Sequence, residues 1–431
     1  MTLAPPCYNR HPVTSSRPIS TVLWFSVGAL AASAIMLIAY QIPPVKFRLE
    51  WRLDAFSGIV RGWIRPQETL PAPANVSPGS FRPIVPPTRA ASSLEPGGTQ
   101  LAPSPTPIPT ALPARVTLPA PAWEGQDWNN CGPATLALGL RFYGWEGDQF
   151  TISELLKPDR GDKNVNIEEL VFYLRTQAGW LNTDFRVGGT ITRLKSLLAA
   201  GFPVIVEKGF ILGEGDGGGG WAGHYLLLTG YDDATQSFIA QDTNPGTGGP
   251  DRTVSYDDLD KGWRQFNRVY MYIYLPQNEA RIQAILGEDG DLDKNRSAAL
   301  DAAQDEIESD PQDPYGWFNL GTNLVYFERY GEASQAFDNA LSLGLPWRFT
   351  RYQFGPYIAY FNQGRFQDVV DLAEATLFRT YKAEESLLWR GWAQFRLGDL
   401  NSAVLDWREA LKYNPFYLDA QYALEYVGST P

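Results

Sequence analysis

The chain has 431 residues, too many for one compact domain at roughly 150 residues each, and its 44% hydrophobic, 13% aromatic and 19% charged residues exclude a wholly disordered, collagenous or polytopic membrane protein. A formal charge of −12 repels phosphate backbones, and no Lys/Arg cluster is interleaved with aromatics, so no nucleic-acid partner is expected. Two cysteines, Cys7 and Cys131, and two histidines, His11 and His224, supply neither a disulfide framework nor a Cys/His metal site. No metal or cofactor is expected, and any thiol or imidazole chemistry in the folded part falls to Cys131 and His224.

After an N-terminal tail, residues 1–20, the run 21–40 (TVLWFSVGALAASAIMLIAY) carries no charge. Twenty residues at helical rise span about 30 Å, the hydrocarbon thickness of a bilayer. The run reads as a transmembrane anchor; its Ser and Ala content also suits a signal peptide, whose apolar region is usually shorter. Arg10 and Arg17 precede it while Lys46, Arg48 and Arg52 come after it, so basic residues give no support to an exported C-terminus. The juxtamembrane segment 41–65 sets Trp51, Phe56 and Trp63 among basic residues, as an amphipathic helix on a membrane surface would.

Residues 66–122 hold fifteen of the 33 prolines among Ala, Ser and Thr, which favours extended polyproline backbone without a core. This linker reads as a stalk, and stalks of this kind on bacterial surfaces place the domains they carry outside the cytoplasm.

The next domain, 123–276, mixes two periodicities. Residues 133–143, 167–178 and 192–200 have helical spacing, and the Gly at 144 and 201 ends the first and last. Residues 203–206, 225–231, 237–242 and 269–275 are β-rich runs between Gly, Pro, Asp and Asn. That order predicts an α+β fold, helices on an antiparallel sheet.

Residues 277–296 read as a linker. Asp289, Asp291 and Asp293 imitate the start of a calcium loop, but Lys294 and Leu300 occupy positions that need Gly and Glu, so the stretch is expected to be solvated. From 297 to 428 strands vanish and a repeat appears: Gly321, Tyr330, Ala333, Phe337 and Ala340 recur seventy residues later as Gly391, Leu400, Ala403, Trp407 and Ala410. With Trp317, Leu320 and Asn414-Pro415, this pattern resembles the tetratricopeptide repeat, which implies an all-α solenoid that binds a protein or peptide partner.

The segment GQDWNNCGPATLALGLRFYGW puts Cys131 just before a helix begun at Pro133. Unpaired amides and the helix dipole there favour a thiolate. Such a nucleophile needs a base that also protonates the leaving amine, and His224 is the imidazole at hand. A bulge-free hairpin centred on Asp233 sets Asp242 directly across from His224, close enough for a carboxylate to orient the ring. The Cys131 amide and the Gln126 side chain are candidate donors to an oxyanion.

Gln126, Asn130-Cys131-Gly132-Pro133-Ala134, Gly223-His224-Tyr225 and Asp242 together resemble cysteine peptidase family 39 in its stand-alone, peptidase-like form, within the papain-like superfamily. The resemblance covers residues 123–276. It implies a papain-like fold, a Cys131–His224–Asp242 triad with Gln126 as oxyanion donor, and a peptide substrate. Better-known members cleave after a double-glycine leader and are fused to a transporter ATPase. This chain has no G-x4-G-K-[ST] phosphate loop and one membrane span, so leader specificity does not carry over, and Gln126 stands one residue nearer the cysteine than the pattern implies. The rivals are an inactive peptidase-like adaptor and a cell-wall amidase or transpeptidase. Gly213–Gly220, next to His224, is backbone free enough to form a gate or a plain loop.

Overall fold

The computed structural model describes residues 19–66, 68–73, 111–213 and 219–430. It comprises two compact units, residues 1–54 and 55–431. In the first, helix α1 (Ile19–Tyr40) is apolar and exposed, and its window Leu23–Tyr40 has mean hydropathy 1.9. It has the make-up of a signal or membrane-anchor helix. Helix α2 (Pro43–Ile64) begins there and continues into the second unit.

In chain order the second unit then contains β1 (Arg115–Thr117), α3 (Cys131–Arg141), α4 (Gln149–Leu156), α5 (Ile167–Gln177), β2 (Asn182–Arg186), α6 (Ile191–Ala199), β3 (Val204–Leu212), β4 (Gly220–Asp232), β5 (Ser237–Asp242), β6 (Gly249–Ser255), α7 (Tyr256–Trp263) and β7 (Tyr270–Tyr274). The strands form one antiparallel sheet in the order β2-β7-β3-β4-β5-β6, with β1 paired to the end of β4. The α+β expectation holds for this region. Side chains alternate across a strand, and that alternation divides the core in two. Ile205, Tyr225, Leu227, Met271 and Ile273 face α3 and α5, whereas Val204, Val206, Leu226, Leu228, Tyr270 and Tyr272 face α6. Gly139 lets α3 lie close on the sheet, since a Cβ there would sit 3.0 Å from Ile273 Cδ1.

Helices α8 (Glu279–Leu286) and α9 (Leu292–Ser309) occupy the segment expected as a linker. Of the three aspartates, Asp291 and Asp293 are solvent-exposed, as expected, and Asp289 is half-buried. Asp291 accepts from the Lys294 amide as N-cap of α9, Asp289 pairs with Arg193 at 2.7 Å, and Asp293 accepts from Tyr326 Oη. Paired helices come next: α10 (Pro314–Tyr326) with α11 (Tyr330–Leu343), α12 (Gly355–Asn362) with α13 (Phe366–Arg379), α14 (Glu384–Arg396) with α15 (Leu400–Tyr413), and a last helix α16 (Leu418–Tyr426). The seventy-residue recurrence has a physical counterpart. A Cβ at Gly321 would fall 2.6 Å from the Phe337 ring, and one at Gly391 would fall 2.4 Å from Trp407 Nε1, so in both pairs a glycine admits an aromatic ring.

The sheet domain and the C-terminal helices share one apolar cluster. Trp221 and Phe266 stack at 5.7 Å, and Phe349 on the helical side lies 4.8 Å from Trp221. Asn267 and Asn323 exchange hydrogen bonds, and Lys382 pairs with Asp159 at 2.9 Å.

Of the segment expected as a free linker, residues 67 and 74–110 lie outside the described residues, and the described parts are docked. Thr69 bridges Pro346, the Leu70 amide donates to Leu345 O at 2.9 Å, and Leu70 is buried. At the other end β1 pairs with Gly230–Asp232. Proline content conceals β1, since only three residues of it are strand.

Candidate active site

Cys131 is the first residue of α3 rather than the one before it, with Asn130 as N-cap. The next residues, Gly132–Leu140, are all buried, which fixes the helix start against the sheet, while Cys131 stays half-buried. The loop before it is clamped by one side chain from α4. Gln149 Oε1 accepts from the Asp127 amide (2.6 Å) and Asn130 Nδ2 (3.0 Å), and its Nε2 donates to Glu124 Oε2 (3.0 Å) and Gly125 O (2.9 Å). Arg160 holds Asp127 by two hydrogen bonds.

His224 stands on β4 and Asp242 ends β5, both buried, with His224 Nε2 2.7 Å from Asp242 Oδ1. The expected register is wrong. Ser237 pairs with Asp232 across a longer turn, Thr229 is bulged out, and beyond it Ala240 pairs with Leu228 and Gln241 with Leu227. Extrapolated, Asp242 falls across from Leu226, two residues from His224. The longer turn slips the pairing by three residues, which alone would send Asp242 to the opposite face; the bulge reverses one step and restores the face. β1 fixes the bulge: Thr229 O accepts from the Leu118 amide at 2.7 Å, and a Cβ on Gly230 would fall 2.4 Å from Val116 O.

Asp242 is held from every side. The Asn244 amide donates to Oδ1 at 3.0 Å, the Arg252 guanidinium donates to Oδ2, and Trp123 Nε1 donates to its backbone carbonyl at 3.0 Å. The turn wraps tightly enough that a Cβ at Gly248 would lie 2.7 Å from Asp242 Oδ1. Arg252 is a site residue that the sequence pattern concealed. It lies on edge strand β6, whose GPDRTVS carries Pro250 and no apolar alternation.

Gln126 sits beside the same strand end. Its amide donates to Thr243 O at 2.7 Å, and its Oε1 accepts from Thr243 Oγ1 at 3.0 Å. With the carbonyl oxygen so engaged, Nε2 is the side chain's donor end.

Burial, the largest influence on each of the three ionisable groups, opposes charge, and specific contacts outweigh it. It pushes the Cys131 thiol up, but the hydrogen bond and charge of His224 and the amides of Tyr225 and Gly132 bring it below its ordinary value. It pushes His224 down, but Asp242 and Cys131 raise the imidazole to about 9. Asp242 is raised by burial and lowered further by His224, the Asn244 amide and Arg252, to about 2. A thiol lowered and an imidazole raised by each other favour the imidazolium–thiolate form near neutrality. Since Nε2 is engaged by Asp242, Nδ1 is the ring nitrogen left for the sulfur. Of the glycine run 213–220, residues 214–218 lie outside the described residues, and with them the segment expected as a gate or a plain loop.

Residues 117–271 match the family model described as Peptidase_C39 like family, and this segment is a Peptidase C39-like domain. Among solved structures the chain is similar to a Bacillus anthracis protein described as C39-like (18% identity, TM-score 0.29, 37% of this chain and 96% of that one). It is also similar to a double glycine motif protease from an AMS/PCAT transporter, solved with its leader peptide (16% identity, TM-score 0.27, 37% and 94%). A third is xylellain, a cysteine protease from Xylella fastidiosa (15% identity, TM-score 0.30, 38% and 86%). No curated protein matches the chain.

Proposed function

We propose that the chain is a membrane-anchored cysteine peptidase, with its catalytic and helical domains outside the cytoplasm. The observation that carries this reading is the buried His224–Asp242 hydrogen bond in a C39-like domain, with Cys131 near enough for His224 to lower its thiol. The Cys131 thiolate attacks the scissile carbonyl carbon; a C–S bond forms and the carbonyl electrons move to oxygen. The Cys131 amide and Gln126 Nε2 donate to that oxyanion. Collapse breaks the C–N bond as the imidazolium Nδ1–H passes its proton to the leaving amine. Neutral His224 then takes a proton from water, whose oxygen attacks the thioester, releasing the acid and regenerating the thiolate. Asp242, anchored by Arg252, orients the ring and stabilises its charge.

The helix pairs read as tetratricopeptide repeats that present a peptide or protein to this domain. The two glycine–aromatic contacts seventy residues apart support that reading.

The test is a peptidyl electrophile on the full chain in detergent. Labelling of Cys131 well above the rate of free cysteine, lost in His224→Ala, is expected, with hydrolysis lost in Cys131→Ala. Labelling no faster than free cysteine would sink the enzyme reading in favour of an adaptor, and turnover of peptidoglycan fragments alone would replace peptidase by cell-wall amidase. A C-terminal reporter active only in the cytoplasm would overturn the placement outside it.

A further inference from the structure

A cavity of about 390 Å3 opens beside the His224 imidazole, between the β3–β4 ladder, β6 and α7. Phe210, which lines it, packs against the His224 ring at 5.3 Å. Lys208, also in its wall, is the cross-strand partner of His224, so the two side chains leave the sheet on one face. Arg252 joins them from β6 and is the same guanidinium that holds Asp242 Oδ2. Three lining residues thus bear directly on the His224–Asp242 pair.

The wall presents hydrogen-bond donors. The stem of Lys208 lies so close on α7 that a Cβ at Gly262 would fall 2.6 Å from Lys208 Cε. Lys208 is half-buried, and among the described residues its ammonium makes no hydrogen bond or ion pair. Arg252 is 42% exposed and commits Nη1 to Asp242, which leaves further N–H groups of its guanidinium open. Gln265, another lining residue, accepts from Trp221 Nε1 at 2.6 Å through Oε1, so Nε2 is its donor end. Lys261 is already paired with Asp257, and Asp258, the carboxylate in the wall, is exposed. Burial and the Arg252 charge hold the Lys208 ammonium below its ordinary value, against the pull of Asp258 and Asp242. An anion set between the two cations relieves that penalty.

Position decides which part of a substrate arrives there. His224 gives its proton to the leaving amine, so the segment C-terminal to the cleaved bond departs along the imidazole, beside which Phe210 and Lys208 stand. We infer that the Lys208–Arg252 cavity is a subsite for a carboxylate in the leaving segment of the substrate, either an acidic side chain or the free C-terminus. The inference rests on the peptidase reading for its substrate, but the charge preference of the cavity can be read at Cys131 without turnover.

Two measurements on the full chain in detergent test it. In the first, Cys131 is alkylated by iodoacetyl-glycine, iodoacetyl-β-alanine and iodoacetyl-γ-aminobutyrate, each as the carboxylate and as the primary amide. Mass spectrometry of the Cys131 peptide keeps Cys7 out of the reading. At one length the carboxylate is expected to react about tenfold faster than the amide, relative to free cysteine. The ratio should fall towards one in Lys208→Met, drop below one in Lys208→Glu, and rise in Asp258→Asn, a change at an exposed position that spares the fold. Equal ratios in all four proteins would overturn the subsite. So would a preference that Lys208→Glu leaves intact, since it would belong to the His224 charge.

In the second, peptides carry Glu, Gln or Lys at each position after the cleaved bond, with the C-terminus free or amidated. A kcat/KM preference of about tenfold for Glu over Gln at one position, turned towards Lys in Lys208→Glu, supports an acidic side chain. A preference that tracks the free C-terminus, and is likewise lost with Lys208, supports a terminal carboxylate. Glu, Gln and Lys peptides cleaved alike, amidated or free, would overturn the inference and leave the peptidase standing. A Lys208-dependent alkylation preference with no peptide cleaved would uphold the carboxylate subsite and sink the peptidase reading instead.

Discussion

His224 and Asp242 meet across the β4–β5 hairpin two residues out of register, and the bulge at Thr229 is what returns them to one face of the sheet. Parity decides this contact more than distance does. Deleting Thr229 moves Asp242 to the other face, and hydrolysis is expected to fall roughly a thousandfold, to the level of Asp242→Ala. Thr229→Ala keeps the residue count and stays within a fewfold of wild type. Kinetics paired with circular dichroism of each variant make the comparison.

The charge states set the pH dependence. His224 is raised to about 9, so its charged form is stabilised by the fold, fully below the ordinary value of 6.5 and no longer once pH passes about 9. Cys131 is lowered, so its thiolate persists below the ordinary 9.0. Peptide hydrolysis, which needs the imidazolium proton, should therefore decline above about pH 9, whereas alkylation of the thiolate by a small neutral reagent should not. Asp242→Asn should move the alkaline limb to lower pH. Two profiles that decline together would refute the ion-pair assignment.

Gln149 satisfies four partners in the loop that leads to Cys131. Gln149→Leu orphans several of these groups, at about 1–3 kcal/mol for each that stays buried. The expected result is a lower Tm together with a kcat/KM reduced about tenfold or more, while Gln149→Asn, which keeps the amide, restores part of each.

In the helical region Gly321→Ala and Gly391→Ala each force a methyl into the Phe337 or Trp407 ring. Overpacking of this kind costs about 1–3 kcal/mol. Calorimetry on each variant should show that loss, and a double variant should show nearly additive losses if the two pairs are independent.

Cys131 and His224 were legible because composition left no competitor, and Asp242 because a strand parity survived an error in the turn. The seventy-residue recurrence was legible because the same contact, glycine on aromatic ring, was needed twice. The remainder was hidden for physical reasons. β6 and its Arg252 lie on a sheet edge where polar residues and Pro250 are tolerated, β2 (NTDFR) has almost no apolar alternation, and β1 is three residues within a proline-rich stretch. The clamp made by Gln149 depends on tertiary proximity between distant stretches, which periodicity cannot register.

Leu70 buried beside Leu345, and β1 paired with β4, give the intervening stretch 74–110 both its endpoints on one folded body. Scission of the backbone within that stretch would therefore not by itself detach the C39-like domain from the segment that carries Leu70. The two fragments would remain clasped, coming apart only on denaturation, as sedimentation before and after a site-specific cut would reveal.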